Sequence, residues 1–433
     1  MTDAAGMLTD RYELTMIDAA LRDGTADRRC VFEVFARTLP AGRRFGVVAG
    51  TGRLLETITR MRFEDGDLKF LATTGLSGPT LEWLADYRFT GTIEGYREGE
   101  IYFPGSPILT VEGGFAESVL LETVVLSILN HDSAVASAAA RMSIAAGDRP
   151  LSEMGSRRTH EDAAVAAARA AYIAGFAATS NLAAGRRWGI PTMGTAAHAW
   201  TLLHEREEDA FRAQIEALGT ATTLLVDTYD IPTGVAVAVG AAGPDLGGIR
   251  IDSGDLPEVA RSARAQLDRL GAQRTRITIT SDLDEFAIAA LAASPVDAYG
   301  VGTALVTGSG APTAGMVYKL VARSDLDRWR PVAKSSARKE GRGGRKHAVR
   351  SLEHGRAVAE VIASDPSDRV SGAVGHGRPL QVPLFDGGPV ADTGGAAGVL
   401  RAREHHRAAR AELPPHALAL SPGEPAIPTV YPG

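Results

Sequence analysis

Five short apolar runs between residues 189 and 305 constrain the fold more than any other feature of the chain. They read GIPTMGT (189–195), TTLLVDTYD (222–230), GGIRIDSGD (247–255), RITITSDLDE (276–285) and DAYGVGTAL (297–305). Each ends in polar or glycine residues and is followed by a helical segment. Their polar ends, Thr195, Asp227, Asp252, Ser281 and Gly300, lie 32, 25, 29 and 19 residues apart. That spacing accommodates one strand, one helix and two connections, the repeat of a β/α unit with parallel strands. The runs are continuously apolar, as strands covered on both faces are. Five such units predict an α/β fold, either a barrel or a doubly wound sheet.

In a β/α barrel, chemistry is done at the carboxyl ends of the strands. Here those ends carry Thr195 and His198, Asp227 and Asp230, Arg250, Asp252, Ser253 and Asp255, Ser281 and Asp282, then Gly300, Gly302 and Thr303. Apolar strands that all finish this way converge on one polar site. Within RIDSGD, Arg250 and Asp252 point to the same side of a strand. The carboxylate can accept from two adjacent hydroxyls, as on a ribose, and the guanidinium can fork onto a carboxylate or phosphate. Alternatively the pair closes a turn before a helix capped by Asp255. The glycines of GVGT (300–303) let backbone N–H groups approach a phosphate. In MGTAAHAW (193–200), His198 is either a core histidine or one presented among small residues. EMGSRRTHEDAA (153–164) opens an Ala-rich helix. Its adjacent Arg157 and Arg158 point in different directions, so one can enter a site while the other meets solvent or a partner.

Outside this region the pattern is mixed. LTDRYELTMIDAALRDG (8–24) has helical spacing and a glycine stop. CVFEVFARTLPAG (30–42) alternates as a half-buried strand, residues 89–114 form short strands, and residues 117–147 form one or two long helices. The glycine-rich basic run at 335–350 reads as a solvated loop, and the proline-punctuated 413–433 as a tail over the surface. With 45% hydrophobic and 23% charged residues, the 433-residue chain can bury a core without staples. Cys30 is the single cysteine, which excludes an internal disulfide and suits a reducing cytoplasm. It reads as a buried hydrophobe, with no Cys or His at metal-ligand spacing to make it part of a metal site. A net charge of −6 argues against a nucleic-acid coat or a membrane-surface protein. The N-terminus lacks the basic and apolar regions of a signal peptide. The apolar stretch at 164–178 contains an arginine and reads as buried helix.

Taken together, LTDRYELT, FEVFARTLP, EMGSRR, TSN (179–181), GTAAHAW, DTYD, RIDSGDL, SDLDE, GVGT and VYKL resemble, in order, the motifs of nicotinate phosphoribosyltransferase. The likeness spans roughly residues 7–350 and is to the bacterial branch of this type II phosphoribosyltransferase family. It implies an irregular β/α barrel of parallel strands packed with a second α/β (α+β) domain. The corresponding division is 1–135, 136–340 and a loop-rich 341–433 that packs in part on the first. The implied reaction joins nicotinate to phosphoribosyl pyrophosphate, giving nicotinate mononucleotide and pyrophosphate for NAD salvage. It also implies ATP as co-substrate, a transient phosphohistidine at His198, Mg2+ travelling with the phosphates, and a cytoplasmic homodimer with shared sites.

The resemblance assigns roles residue by residue. Arg157 faces the leaving pyrophosphate, Asp252 the ribose hydroxyls and Arg250 the nicotinate carboxylate. Asp282, Gly300, Gly302 and Thr303 cradle the ribose phosphate, with Thr195 and Ser253 beside the substrates. Tyr12 reaches across the dimer to stack on the pyridine. Met154 stands where many relatives have phenylalanine, and Ala199 where many have serine, so base recognition differs in detail. Nicotinamide would want an acidic or amide partner, and quinolinate more basic residues around Arg250. A non-catalytic barrel binding NAD metabolites would need no phosphorylatable histidine. A lysine-dependent aldolase or isomerase would want a strand-end lysine, and the nearest is Lys319.

Overall fold

The computed structural model describes residues 5–40, 42–325, 328–334, 342–364, 377–390 and 393–432. The chain divides into two compact units, Ala138–Gly310 and the combination of Met1–Ser137 with Ala311–Gly433.

The Ala138–Gly310 unit is built on one six-stranded sheet. Its spatial order is Ala178–Thr179, Leu151–Glu153, Ala298–Val301, Arg276–Ile279, Gly248–Ile251 and Thr223–Leu225. Every pairing is parallel. Helices Ile231–Ala242, Leu256–Arg269 and Glu285–Ala290 return the chain between successive strands. Asp230, Asp255 and Asp284 accept from backbone N–H groups in the first turns of those helices. These three strand-end carboxylates are therefore helix caps. The sheet is a curled parallel half-barrel, which bears out the parallel β/α architecture expected in its coarser form.

Four of the five apolar runs form strands. The first, 189–195, contributes only a single parallel bridge, from Thr192 to Thr179. Pro191 has no N–H to donate, and its carbonyl accepts from Thr179 N at 3.0 Å. The other two strands were not foreseen. Leu151–Glu153 runs along Ala298–Val301, and the Ala-rich helix begins only at Glu161, so EMGSRR is a strand end and loop.

The other unit carries a six-stranded antiparallel sheet ordered Arg328–Pro331, Met316–Asp325, Arg29–Ala36, Leu109–Gly114, Thr92–Tyr96, Gln381–Asp386. The helix Arg11–Asp23 ends as expected, with Gly24 at φ 78°. The strand Arg29–Ala36 is buried along nearly its whole length, where its alternation suggested one wet face. Glu33, at its centre, is covered by Lys346, whose ammonium lies 2.5 Å from the carboxylate.

The basic run is thus not a solvated loop where it is described. Residues 335–341 lie outside the described residues. Beyond them, Arg345 pairs with Glu94 and Glu112, and the fully buried Arg350 pairs with Glu360. The segment after Tyr318 is also more regular than its composition suggested. It supplies a second sheet ordered Gly377–Pro379, His347–Glu353, Arg356–Ala363, Thr429–Val430, and the helix Gly395–Ala411. Burial pushes the Glu33 carboxyl up, against the pull of Lys346. Removing the cation strands that carboxyl, so Lys346→Ala should cost about 3 kcal/mol or more in chemical denaturation. A loss near zero would mean that water reaches Glu33.

Cys30 is buried, and burial raises its thiol pKa to about 11, as suits a packing residue. Among the described residues one stretch, Phe115–Ala146, is long and apolar enough to cross a membrane, and 67% of its most apolar window is buried inside the protein.

Candidate active site

The carboxyl ends of the parallel strands border a cavity of about 250 Å³. Met154, Arg157, Arg158, Arg250, Asp252, Thr280, Ser281, Asp282, Gly300, Gly302 and Thr303 line it. Eight of the residues expected from sequence therefore meet in one place: Met154, Arg157, Arg250, Asp252, Asp282, Gly300, Gly302 and Thr303. Both arginines of the Gly155–Arg158 turn line the cavity while remaining exposed, so neither is turned away from it. At Gly300 only glycine fits. A Cβ there would lie 2.6 Å from the Thr280 methyl and 2.7 Å from the Met154 sulfur. Ser281 has φ 97°, a left-handed conformation costly for a residue with a side chain, in the turn that presents Asp282.

Arg250 is held rather than loose. Its Nε donates to Thr280 Oγ1 at 2.9 Å, and one terminal nitrogen donates to Thr195 Oγ1 at 2.9 Å and to the Ala196 carbonyl at 3.3 Å. The other terminal nitrogen is 3.6 Å from Asp252 Oδ1. Thr280 in turn donates its hydroxyl to that same carboxylate oxygen.

His198 opens the short helix His198–Leu202, and its Nε2 lies 3.0 Å from Asp227 Oδ1. The histidine side chain is 42% exposed and the aspartate 1% exposed, so the ring is presented and its partner is fixed. Asp227 Oδ2 accepts from Asp252 N at 2.8 Å and from Ser253 Oγ at 2.7 Å. Ser253 therefore braces the dyad. In the sequence Asp227 reads only as a strand end; its contact with His198, 29 residues away, leaves no local mark. The dyad and the cavity are linked at Asp252, whose backbone N–H donates to Asp227 while its side chain lines the cavity.

Behind the arginine turn lies another group that sequence reading missed. Glu153 is fully buried; its carboxylate accepts from Gly155 N and from Thr179 Oγ1. Asn181 Nδ2 donates to Ser156 Oγ at 3.0 Å, so the TSN segment also ties down this turn. Burial raises the Glu153 pKa against those hydrogen bonds. An acid with a raised folded pKa is most favourable below the unfolded carboxyl range, and its contribution falls as pH rises through the folded value. Glu153→Gln should therefore flatten the stability profile between acidic and neutral pH, measured as melting temperature against pH. An unchanged slope would contradict this.

Tyr12 belongs to the other unit, in the first turn of Arg11–Asp23, and is 47% exposed. Partial burial, then Glu122 and Glu13, push its pKa up to about 12, so the hydroxyl stays neutral. Ala199 is exposed beside His198 and offers no hydroxyl. Among the described residues, no group of three or more His, Cys, Asp and Glu side chains is gathered to hold a metal ion.

Parallel strands whose carboxyl ends gather arginines, a held carboxylate and a presented histidine define an enzyme acting on small molecules. A family model for the nicotinate phosphoribosyltransferase N-terminal domain matches residues 7–130. The chain is 61% identical over 436 residues to the Mycobacterium tuberculosis (strain H37Rv) nicotinate phosphoribosyltransferase pncB1, covering 99% of this chain and 95% of that one. It is 38% identical over 331 residues to the Bacillus subtilis (strain 168) nicotinate phosphoribosyltransferase, covering 74% and 67%. The crystal structure of human nicotinic acid phosphoribosyltransferase superposes with a TM-score of 0.81 at 25% identity, covering 98% of this chain and 97% of that one. The chain belongs to the nicotinate phosphoribosyltransferase family and is an enzyme.

Proposed function

We propose that this enzyme makes nicotinate mononucleotide and pyrophosphate from nicotinate and phosphoribosyl pyrophosphate, coupled to ATP hydrolysis, in NAD salvage. The observation that carries the reading is the single cavity that brings Arg250, Asp252, Arg157 and the Asp282–Gly300 region together. The nicotinate carboxylate lies on Arg250, and the ribose hydroxyls donate to Asp252. Asp282, Gly300, Gly302 and Thr303 surround the ribose phosphate. The pyridine nitrogen supplies its lone pair to ribose C1 while the C1–oxygen bond to pyrophosphate breaks and its electrons leave with that group. Arg157 stabilises the charge gathering there. Met154 covers one face of the pyridine, and Tyr12 from a second copy of the chain covers the other.

His198 takes the γ-phosphoryl of ATP on Nδ1, which has no hydrogen-bond partner among the described residues, while Asp227 holds Nε2–H. Transfer to the ring followed by hydrolysis couples ATP to the cycle. Magnesium fits as an ion carried by substrate phosphates with Asp252 or Asp282 as an added ligand; when bound it neutralises phosphate charge. A homodimer is supported by Met7, Leu8 and Tyr12, which leave 40%, 61% and 47% of their surface exposed. The lone Cys30 supports a cytoplasmic setting. The domain division that goes with this reading is 1–135, 136–340 and 341–433.

The test is product analysis with nicotinate, nicotinamide and quinolinate offered separately with phosphoribosyl pyrophosphate, ATP and Mg2+. Nicotinate mononucleotide should form fastest by a wide margin. Preferred turnover of either rival, or binding without turnover, would overturn the assignment.

A further inference from the structure

We infer that Thr280 is a positioning residue that couples the two substrate subsites, so that nicotinate and the ribose phosphate tighten each other's binding. The inference rests on the proposed assignment of Arg250 to the nicotinate carboxylate and of Asp252 to the ribose hydroxyls.

Thr280 is 3% exposed, at the end of the strand Arg276–Ile279. Its one hydroxyl accepts from Arg250 Nε at 2.9 Å and donates to Asp252 Oδ1. A threonine hydroxyl has one proton, so the direction of this relay is set: the guanidinium can only donate, and the proton must go to the carboxylate. Thr280 thereby fills Oδ1. Asp252 Oδ2 has no hydrogen-bond partner among the described residues and is the oxygen left for a ribose hydroxyl. Arg250 is likewise committed on Nε and on one terminal nitrogen, leaving mainly the nitrogen 3.6 Å from Asp252 to meet an incoming anion.

A carboxylate arriving there shares the guanidinium's charge. The guanidinium then draws less on Asp252 and on the Thr280 hydroxyl, and Asp252 becomes the stronger acceptor for a ribose hydroxyl. Hydrogen bonds in series polarise one another in this way. By linkage the effect is reciprocal: a ribose donating to Asp252 tightens nicotinate by the same factor. A neutral amide on the pyridine does not share the charge and earns no such factor. The Thr280 methyl packs where a Gly300 side chain would go, so the hydroxyl and the methyl have separable tasks.

The test is calorimetric titration of the full-length enzyme with ribose 5-phosphate, which has the hydroxyls and phosphate but no leaving group. It is done with and without saturating nicotinate, and again with nicotinamide. Nicotinate should tighten ribose 5-phosphate about fivefold or more in the wild type. Thr280→Ser should keep that ratio, Thr280→Val should bring it close to one, and nicotinamide should give close to one throughout. A wild-type ratio in Thr280→Val, loss of the ratio in Thr280→Ser, or equal tightening by nicotinamide each overturns the coupling. If Thr280→Val does not fold, the serine variant and the nicotinamide comparison decide. A wild type that binds neither ligand overturns the substrate assignment as well, which separates that failure from failure of the Thr280 link alone.

Discussion

Asp227→Asn should lower the ATP-stimulated rate about 100-fold or more, with little change in the rate measured without ATP. Asparagine keeps the size of the aspartate but not its charge. A ring that takes a phosphoryl group on Nδ1 becomes positive as the bond forms, and the buried carboxylate 3.0 Å from Nε2 is placed to meet that charge. The amide also presents an NH2 group towards the imidazole, the Ser253 hydroxyl or Asp252 N, all of which need an acceptor. Steady-state kinetics with and without ATP check this. Equal losses in both would make Asp227 a structural residue only.

Arg250→Ala should raise the KM for nicotinate about 100-fold, and the KM for phosphoribosyl pyrophosphate much less. A charge-assisted hydrogen bond whose loss leaves the carboxylate unpaired costs about 2–3 kcal/mol, which corresponds to that factor. The smaller effect on the second substrate comes through Thr280 and Asp252, which lose a neighbour but keep each other. Lysine should not substitute, because an ammonium cannot span Thr280, Thr195 and a carboxylate together. Equal rises in both KM values would place Arg250 elsewhere in the reaction.

The parallel strands were legible where the apolar run was continuous and ended abruptly. TTLLVD and GGIRID read directly as buried strands, because neither face of such a strand needs polar residues. GIPTMGT did not behave alike, since its proline removes a ladder donor and leaves one bridge. Leu151–Glu153 escaped notice because three residues carry no period, and its depth is apparent only through the neighbouring Ala298–Val301. Site residues that face the cavity were found by position at strand ends. Asp227 is legible as a strand end but not as the partner of His198, and Thr280 and Glu153 do not stand out at all, because each acts on another side chain and pairing across strands leaves no local mark. Glu33 and Lys346 make the same point: they are 313 residues apart, and only their meeting explains a charged residue inside a buried strand.

The central claim is tested most directly by incubating the enzyme with γ-labelled ATP and mapping the label by mass spectrometry. An acid-labile, base-stable phosphate on His198, absent in His198→Ala, is the predicted result. Full ATP-stimulated synthesis of nicotinate mononucleotide with no label on His198 would contradict it.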